Sequence, residues 1–276
     1  MIDVELRDGS GQSPATGEPP ATGQPAAAVQ PAAAGQAAAS GRIAVVRIDR
    51  PDRRNALDVD HCVGLRTGIG RAVDAGARVI VLTGVGTSFC AGADLDQVYG
   101  EAFTDALYGA LHAITEAPVP VIAAVNGPAI GAGLQLALAA DLRVAAEKAV
   151  FAIPTARLGL AVDPWTLGRL AELVGGGPAR AVVLGCETMP VSRALELGFV
   201  QRAGGLDVAL AWAAELAGLA PLTLAYSKRA FNEFAESAAK PSAAVTAAYE
   251  ACWASEDARE GRLARAEKRA AVFQGR

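Results

Sequence analysis

Residues 119–145 read VPVIAAVNGPAIGAGLQLALAADLRVA. The apolar run over 120–125 predicts a buried strand, because short apolar runs that end at turn residues are typical of parallel-sheet cores. The glycine-rich loop NGPAIGAG then leads into an apolar helix over 134–140, and a second short strand is predicted over 142–145. This strand–loop–helix–strand order indicates an α/β fold with parallel strand pairing.

The same region raises the question of a membrane span, because no charged residue lies between Glu116 and Asp141. The length suffices to cross a bilayer. The segment nevertheless contains three prolines, Asn126 and Gln135, which a lipid-exposed helix tolerates poorly. We therefore predict a buried core unit and no membrane span. The N-terminus has neither a basic region nor an apolar segment of the secretory kind, so we expect a cytoplasmic protein.

Strand-like and helix-like patterns alternate through most of the chain, and only helical patterns remain after about residue 206. The N-terminal residues 1–10 alternate like a strand, as do residues 43–48. Between them, residues 11–41 are rich in Ala, Pro, Gly and Gln and nearly free of bulky apolar side chains, so we predict that they are disordered. We therefore expect four parts: a first hairpin strand (1–10), a disordered insertion in the hairpin turn (11–41), an α/β core (42–205) and a helical region (206–276).

Composition excludes several classes of protein. The 276 residues carry a formal net charge of −4 and no basic block, which argues against nucleic-acid binding. Four cysteines form no CxxC pair and only two histidines are present, so we predict neither a zinc site nor a disulfide framework.

Three loops with small residues are candidates for chemistry. The glycine loop over 127–133 aims backbone N–H groups and a helix dipole at an anion or oxyanion, or else its glycines only permit tight packing. It lacks the lysine of a nucleotide-binding P-loop. The other two loops are SFCAGAD over 88–94 and RPDRRNAL over 50–57.

These three motifs, in this order, resemble those of the crotonase (enoyl-CoA hydratase/isomerase) family, which carries RP…RNAL, FCAGAD and NGPAxGxGxxLAxxxDLRxA at similar spacings. The resemblance covers residues 42–276 and also includes LGL at 158–160. It implies an α/β fold with a crotonase-like ββα spiral core, a C-terminal helical trimerisation region, and a homotrimer or a dimer of trimers. The ligand implied is a fatty acyl-CoA or enoyl-CoA thioester, without a further cofactor or metal.

The resemblance also implies site residues. Ala93 and Ala132 match the positions whose backbone N–H groups hold the thioester oxygen, and Lys268 matches a lysine that contacts CoA phosphate. Arg265 stands where an aromatic residue is common in the family. The remaining expected ligand contacts are Arg54, Ala91, Gly92, Asp94, Leu95, Gly131 and Gly133. Trp165 is expected to pack near the acyl end, or else to be an aromatic residue of the core.

This chain departs from the family at both hydratase carboxylates, where Gln135 and Thr155 stand in place of glutamates. Neither side chain exchanges a proton near pH 7, and losing one acid/base group typically costs ~10²–10⁴ in rate. Asp163 is a candidate replacement. However, an aspartate followed by proline is also a typical helix N-cap, and the local sequence favours that role.

Two functional hypotheses follow. The first is an acyl-CoA-binding protein that keeps the oxyanion loops but has little or no hydratase activity. The second is an active lyase or isomerase of fatty-acid metabolism that uses Asp163 as its acid/base. The family's place in lipid metabolism also suggests other lipid-synthesis proteins as partners.

Overall fold

A computed structural model describes residues 1–7, 41–95, 100–238 and 243–273. The insertion predicted over 11–41 lies outside these residues except for its last position. On either side of it, β1 (Ile2–Arg7) and β2 (Arg42–Ile48) pair antiparallel, with Ile2 opposite Ile48. This pair corresponds to the predicted hairpin over its described residues, and the division of the chain into four parts stays a prediction.

Two sheets organise the described chain. The remaining strands are β3 (Ala77–Gly84), β4 (Val121–Val125), β5 (Ala129–Ile130), β6 (Leu142–Ala145), β7 (Val150–Ala152), β8 (Met189–Pro190) and β9 (Arg202–Ala203). The larger sheet has the order β1-β2-β3-β4-β6-β9, and all its pairs except β1–β2 are parallel. The smaller sheet has the order β5-β7-β8. Every residue of β4 is buried, as expected for a parallel strand covered on both faces.

Ten α-helices surround these sheets in the described residues. They are α1 (Val59–Asp74), α2 (Glu101–Thr115), α3 (Ala132–Ala139), α4 (Pro164–Val174), α5 (Gly176–Leu184), α6 (Val191–Glu196), α7 (Leu206–Ala217), α8 (Pro221–Ala238), α9 (Ala243–Ala254) and α10 (Glu256–Ala266). In the described part of the chain after residue 206, the regular elements are the helices α7 to α10. The boundary of a separate helical region there stays a prediction.

The core has two layers because strand side chains alternate between the faces of a sheet. On β3, Ile80 and Leu82 face the main core that includes α1, α2 and α3. Val79 and Val81 face the opposite side, where α7 packs through Ala213 and other small residues. The glycine loop and α3 therefore lie in the larger layer.

Two structural features differ from the sequence-based expectations. Helix α2 was not predicted, and it packs against α1 and α3 with Phe103, Leu107 and Leu111 buried. Helix α3 begins at Ala132, two residues earlier than predicted, so this alanine is its first residue. The earlier start matters because the first N–H groups of a helix have no partner within the helix.

No single helix in the described ranges is long and apolar enough to cross a membrane, although α7 and residues 221–233, bent by 111°, pass that test as a pair.

Candidate active site

Two loops predicted to carry chemistry meet at the edge of the sheets. The backbone of Cys90 pairs with the glycine loop: its N–H donates to Pro128 at 3.1 Å, and its carbonyl accepts from Ile130 at 3.0 Å. Gly92 (φ 108°) and Gly131 (φ 53°) adopt backbone conformations that favour glycine. A Cβ placed on Gly92 would lie 3.0 Å from the Ile130 carbonyl oxygen. The two loops are thus in close backbone contact.

This contact brings the backbone N–H groups of Ala93 and Ala132 near each other. Leu57 donates to the carbonyl of Gly92 at 2.8 Å and accepts from the N–H of Asp94 at 2.6 Å. Since successive N–H groups of extended backbone point to opposite sides, the N–H of Ala93 points away from Leu57. Ala132 provides the first N–H of α3, and it lies 4.0 Å from a Cβ built on Gly92.

The RPDRRNAL loop holds this arrangement in place. The guanidinium of Arg50 pairs with Asp94 at 3.0 Å and with Asp58 at 3.2 Å. Asn55 is fully buried, and its amide donates to the carbonyl oxygens of Val85 at 2.9 Å and Ser88 at 2.8 Å. The motif therefore joins the start of α1 to the SFCAGAD loop.

A cavity of about 230 Å³ opens beside the two N–H groups. Its walls are mostly apolar, with Phe103 and Leu107 from α2 and Leu158 and Leu160 from the segment after β7. Mostly apolar walls that also carry a group of polar side chains are typical of sites for ligands with an apolar part.

The polar wall of the cavity centres on Asp163, which is 6% exposed. Its Oδ1 accepts the backbone N–H of Thr166 at 3.0 Å, so it caps α4. Its Oδ2 accepts the hydroxyl of Thr166 at 2.5 Å and the amide of Gln135 at 2.9 Å. The same Gln135 nitrogen donates to Thr166 Oγ1 at 2.8 Å. The predicted capping role is thus observed, and Asp163 also lines the cavity.

Two tyrosines extend this polar wall. Tyr108 from α2 interacts with Asp163 and with Tyr249 from α9. Burial, the Asp163 carboxylate and Tyr249 raise the pKa of Tyr108, and burial together with Asp163 raises the pKa of Tyr249. Both phenols therefore stay protonated at physiological pH. Trp253 closes the same side, and its Nε1–H donates to the carbonyl of Ala161 at 3.1 Å.

Cys90 belongs to the SFCAGAD loop, and its side chain is fully buried. Burial raises the pKa of its thiol to about 12. A thiol with so little thiolate is a poor nucleophile.

The cavity brings together nine of the predicted site residues: Ala91, Gly92, Ala93, Leu95, Gly131, Ala132, Gln135, Thr155 and Asp163. Five others lie outside its walls. Arg54 and Lys268 are exposed, Asp94 pairs with Arg50, and Gly133 packs against the Cys90 backbone. Trp165 is partly buried against the main core.

Sequence reasoning missed several residues of the wall. None of the sequence motifs includes Tyr108, Thr166, Tyr249 or Trp253. The one available signal is the i,i+4 spacing of Tyr249 and Trp253, which places both side chains on one face of a helix. Arg265, for which a contact to phosphate and a plain surface position were both open, lines the cavity, and Lys268 does not. Among the residues that the structure describes, no group of three His, Cys, Asp or Glu side chains could hold a metal ion.

Comparison with known proteins gives a family match. The family model described as enoyl-CoA hydratase/isomerase matches residues 38–276.

Curated relatives agree with this match. The probable enoyl-CoA hydratase echA6 of Mycobacterium tuberculosis (strain CDC 1551 / Oshkosh) is 46% identical over 235 residues, which cover 84% of this chain and 96% of that protein. The carnitinyl-CoA dehydratase of Escherichia coli O157:H7 is 35% identical over 250 residues, with coverage of 85% and 95%.

A solved structure gives the same result. The crystal structure of an enoyl-CoA hydratase/isomerase from Pseudoalteromonas atlantica T6c superposes with a TM-score of 0.74 at 31% identity. The superposition covers 84% of this chain and 96% of that one.

Proposed function

Because this chain belongs to the enoyl-CoA hydratase/isomerase (crotonase) family, we propose that it binds fatty acyl-CoA thioesters and has weak or absent hydratase activity. The observation that carries this proposal is the side chain of Gln135. Its amide nitrogen donates to Asp163 and Thr166, so it is a fixed member of the wall rather than an acid or base. Thr155, at the other glutamate position, has no proton to exchange near pH 7 either.

The backbone geometry supports binding of a thioester. The N–H groups of Ala93 and Ala132 come from loops in direct contact and flank the same cavity. Two such donors would hold the carbonyl oxygen of a thioester, and they would stabilise it more as negative charge develops. The apolar walls would accept the acyl chain. We place this activity in cytoplasmic fatty-acid metabolism, with other lipid-synthesis proteins as partners.

A second candidate function is a lyase or isomerase that uses Asp163. One observation favours it, since Asp163 is the only carboxylate among the described residues that line the cavity. Against it, the two oxygens of Asp163 already accept three hydrogen bonds from Thr166 and Gln135 and interact with Tyr108. A carboxylate so fully engaged has little capacity left to take a substrate proton.

The binding test uses isothermal titration with saturated acyl-CoA. We expect wild type to bind, and we expect Arg265→Gln to weaken binding about 3- to 10-fold, because a charge-assisted contact to phosphate would be lost. Arg259→Gln is the matched control: it removes the same charge from an exposed position of α10. Equal affinities for the two variants would contradict the role of Arg265, and no binding by wild type would contradict the proposed function.

Assembly is proposed from the surface of α8. Leu222, Tyr226 and Phe231 are 85%, 72% and 67% exposed, although large apolar side chains are usually covered. We expect a trimer or a dimer of trimers that buries this surface. Light scattering at micromolar concentration checks this, and a mass near 28.0 kDa, that of a single chain, would contradict it.

A further inference from the structure

Helix α3 provides one of the two proposed thioester donors at its first residue, Ala132, and it has no charged side chain of its own. All eight of its residues are buried. The last carbonyl groups of a helix have no partner within the helix, and the helix dipole makes that end partly negative. The C-terminal end of α3 therefore needs donors from elsewhere in the fold.

A buried arginine on β6 supplies most of these donors. Arg143 is 2% exposed, and its Nη1 donates to the carbonyl oxygens of Ala137 at 3.1 Å and Ala140 at 2.8 Å. Its Nη2 donates to the carbonyl of Asp141 at 3.2 Å, and its Nε donates to the carbonyl of Phe199 at 2.5 Å. One guanidinium thus ties the end of α3 to the start of β6 and to the segment before β9.

A second arginine reaches the same end of α3 from α4. The Nε of Arg169 donates to the carbonyl of Leu138 at 3.4 Å, while its Nη1 pairs with Glu172 at 2.8 Å. Burial and the neighbouring Arg169 lower the pKa of Arg143 to about 10, so its guanidinium stays charged at physiological pH. Two positive charges therefore lie at the C-terminal end of this apolar helix.

The charged end of α3 influences the N–H group at its other end. Eight residues span only about 12 Å at the rise of an α-helix, and buried charges are screened less than exposed ones. Cations beside the last carbonyl groups offset the negative end of the helix dipole, so the positive potential at the first N–H is stronger. The same hydrogen bonds fix how α3 lies against β6, and with it the direction of the Ala132 N–H.

We propose that Arg143 and Arg169 are positioning residues for the thioester: they hold the C-terminal end of α3 so that the N–H of Ala132 is aligned with the thioester oxygen and polarises it. This inference rests on the proposed acyl-CoA binding. Within the described chain, neither arginine is among the residues that line the cavity, so both act through the helix. Their removal should reduce polarisation more than affinity, because the apolar walls remain.

The test uses 2,4-hexadienoyl-CoA, whose conjugated carbonyl absorbs at longer wavelength when it is polarised. The red shift is recorded with the probe fully bound, so that a change in affinity does not alter it. We expect wild type to bind the probe with a red shift and Arg143→Met to lose about half of that shift or more, since preorganised donors polarise a carbonyl only when aligned. Arg143→Lys keeps the charge with fewer donors, and it should retain more of the shift than Arg143→Met.

Two further variants complete the test. Arg169→Met, at a side chain that is 14% exposed, should lose a smaller part of the shift, and it keeps the inference testable if Arg143→Met fails to fold. Arg202→Met is the matched control on the neighbouring strand β9, where the guanidinium pairs with Glu215 at 2.8 Å and stacks on Trp212. This control should keep the full red shift. Denaturant titration of each variant measures its loss of stability separately.

The outcomes separate this inference from the proposed function. A full red shift in Arg169→Met, or in folded Arg143→Met, would mean that the two arginines only stabilise the fold, and the inference would be overturned. A loss in Arg202→Met as large as that in the other variants would overturn it too. In both cases acyl-CoA binding would stand. If wild type did not bind the probe at all, the proposed function would fail as well.

Discussion

Wild-type protein is expected to hydrate crotonyl-CoA at least ~10³-fold more slowly than a family member with both glutamates. One acid/base group contributes ~10²–10⁴ in rate, and both positions are occupied here by side chains that do not ionise. The measurement is the loss of enoyl absorbance at saturating substrate, alongside binding of the same ligand. A rate typical of the family would refute the proposal of weak or absent activity.

Restoring the carboxylates tests the reason for the low rate. We expect Gln135→Glu with Thr155→Glu to raise the rate. The structure adds a complication, because the amide nitrogen of Gln135 lies 2.9 Å from Asp163 Oδ2. A glutamate there would face a second carboxylate, and two adjacent carboxylates do not both ionise readily. Adding Asp163→Asn removes this conflict and keeps a capping side chain, so the triple variant should be faster than the double variant.

The single variant Asp163→Asn separates the two candidate functions. If the protein binds acyl-CoA without catalysis, this change should leave the low hydration rate unaltered. If wild type proves active, and the variant loses activity without losing stability, then Asp163 carries the chemistry. The free energy of unfolding of both proteins is the necessary companion measurement.

The second large effect concerns stability and the attachment of α8. Lys228 is 8% exposed, and its Nζ contacts Asp141 Oδ2 at 2.8 Å and the carbonyl oxygen of Ile114 at 2.8 Å. We expect Lys228→Met to lower the free energy of unfolding by about 2 kcal/mol, because the carbonyl oxygens of Ile114 and Val119 and the partly buried Asp141 carboxylate lose a charged donor. Denaturant titration measures this loss.

A neighbouring residue offers the control. Arg229 pairs with Glu233 on the same helix at 3.1 Å, but its side chain is 82% exposed. We expect Arg229→Met to change the free energy of unfolding by less than about 0.5 kcal/mol, since exposed pairs contribute little. Similar losses for the two variants would mean that the contact of Lys228 with Asp141 does not anchor α8.

Much of the fold was predictable because it depends on local patterns. Runs of apolar residues predicted β4 and β6, and the glycine loop between them predicted a site of exposed N–H groups. The resemblance of three motifs then pointed to Ala93 and Ala132, which both line the cavity, and their role at a thioester stays a prediction. Predictions of this kind succeed because strand and helix periods, turn residues and loop motifs are each written within a few consecutive positions.

The side chains around the ligand cavity were less predictable. Trp165 was expected either at the acyl end or in the core. It packs against the core, while Trp253 lines the cavity. Asp163 was recognisable as a helix cap, but its bond to Gln135 joins residues 28 positions apart. Tyr108 reaches the same cluster from a helix that the sequence patterns did not predict.

The physical reason lies in how helices pack. The period of a sequence indicates which face of a helix is buried, but the crossing angle and rotation against its neighbours determine which single side chain reaches a cavity. Helices α2, α3 and α9 each contribute residues to the wall from separate parts of the chain. Their meeting is a property of the packed core, and no local pattern contains it.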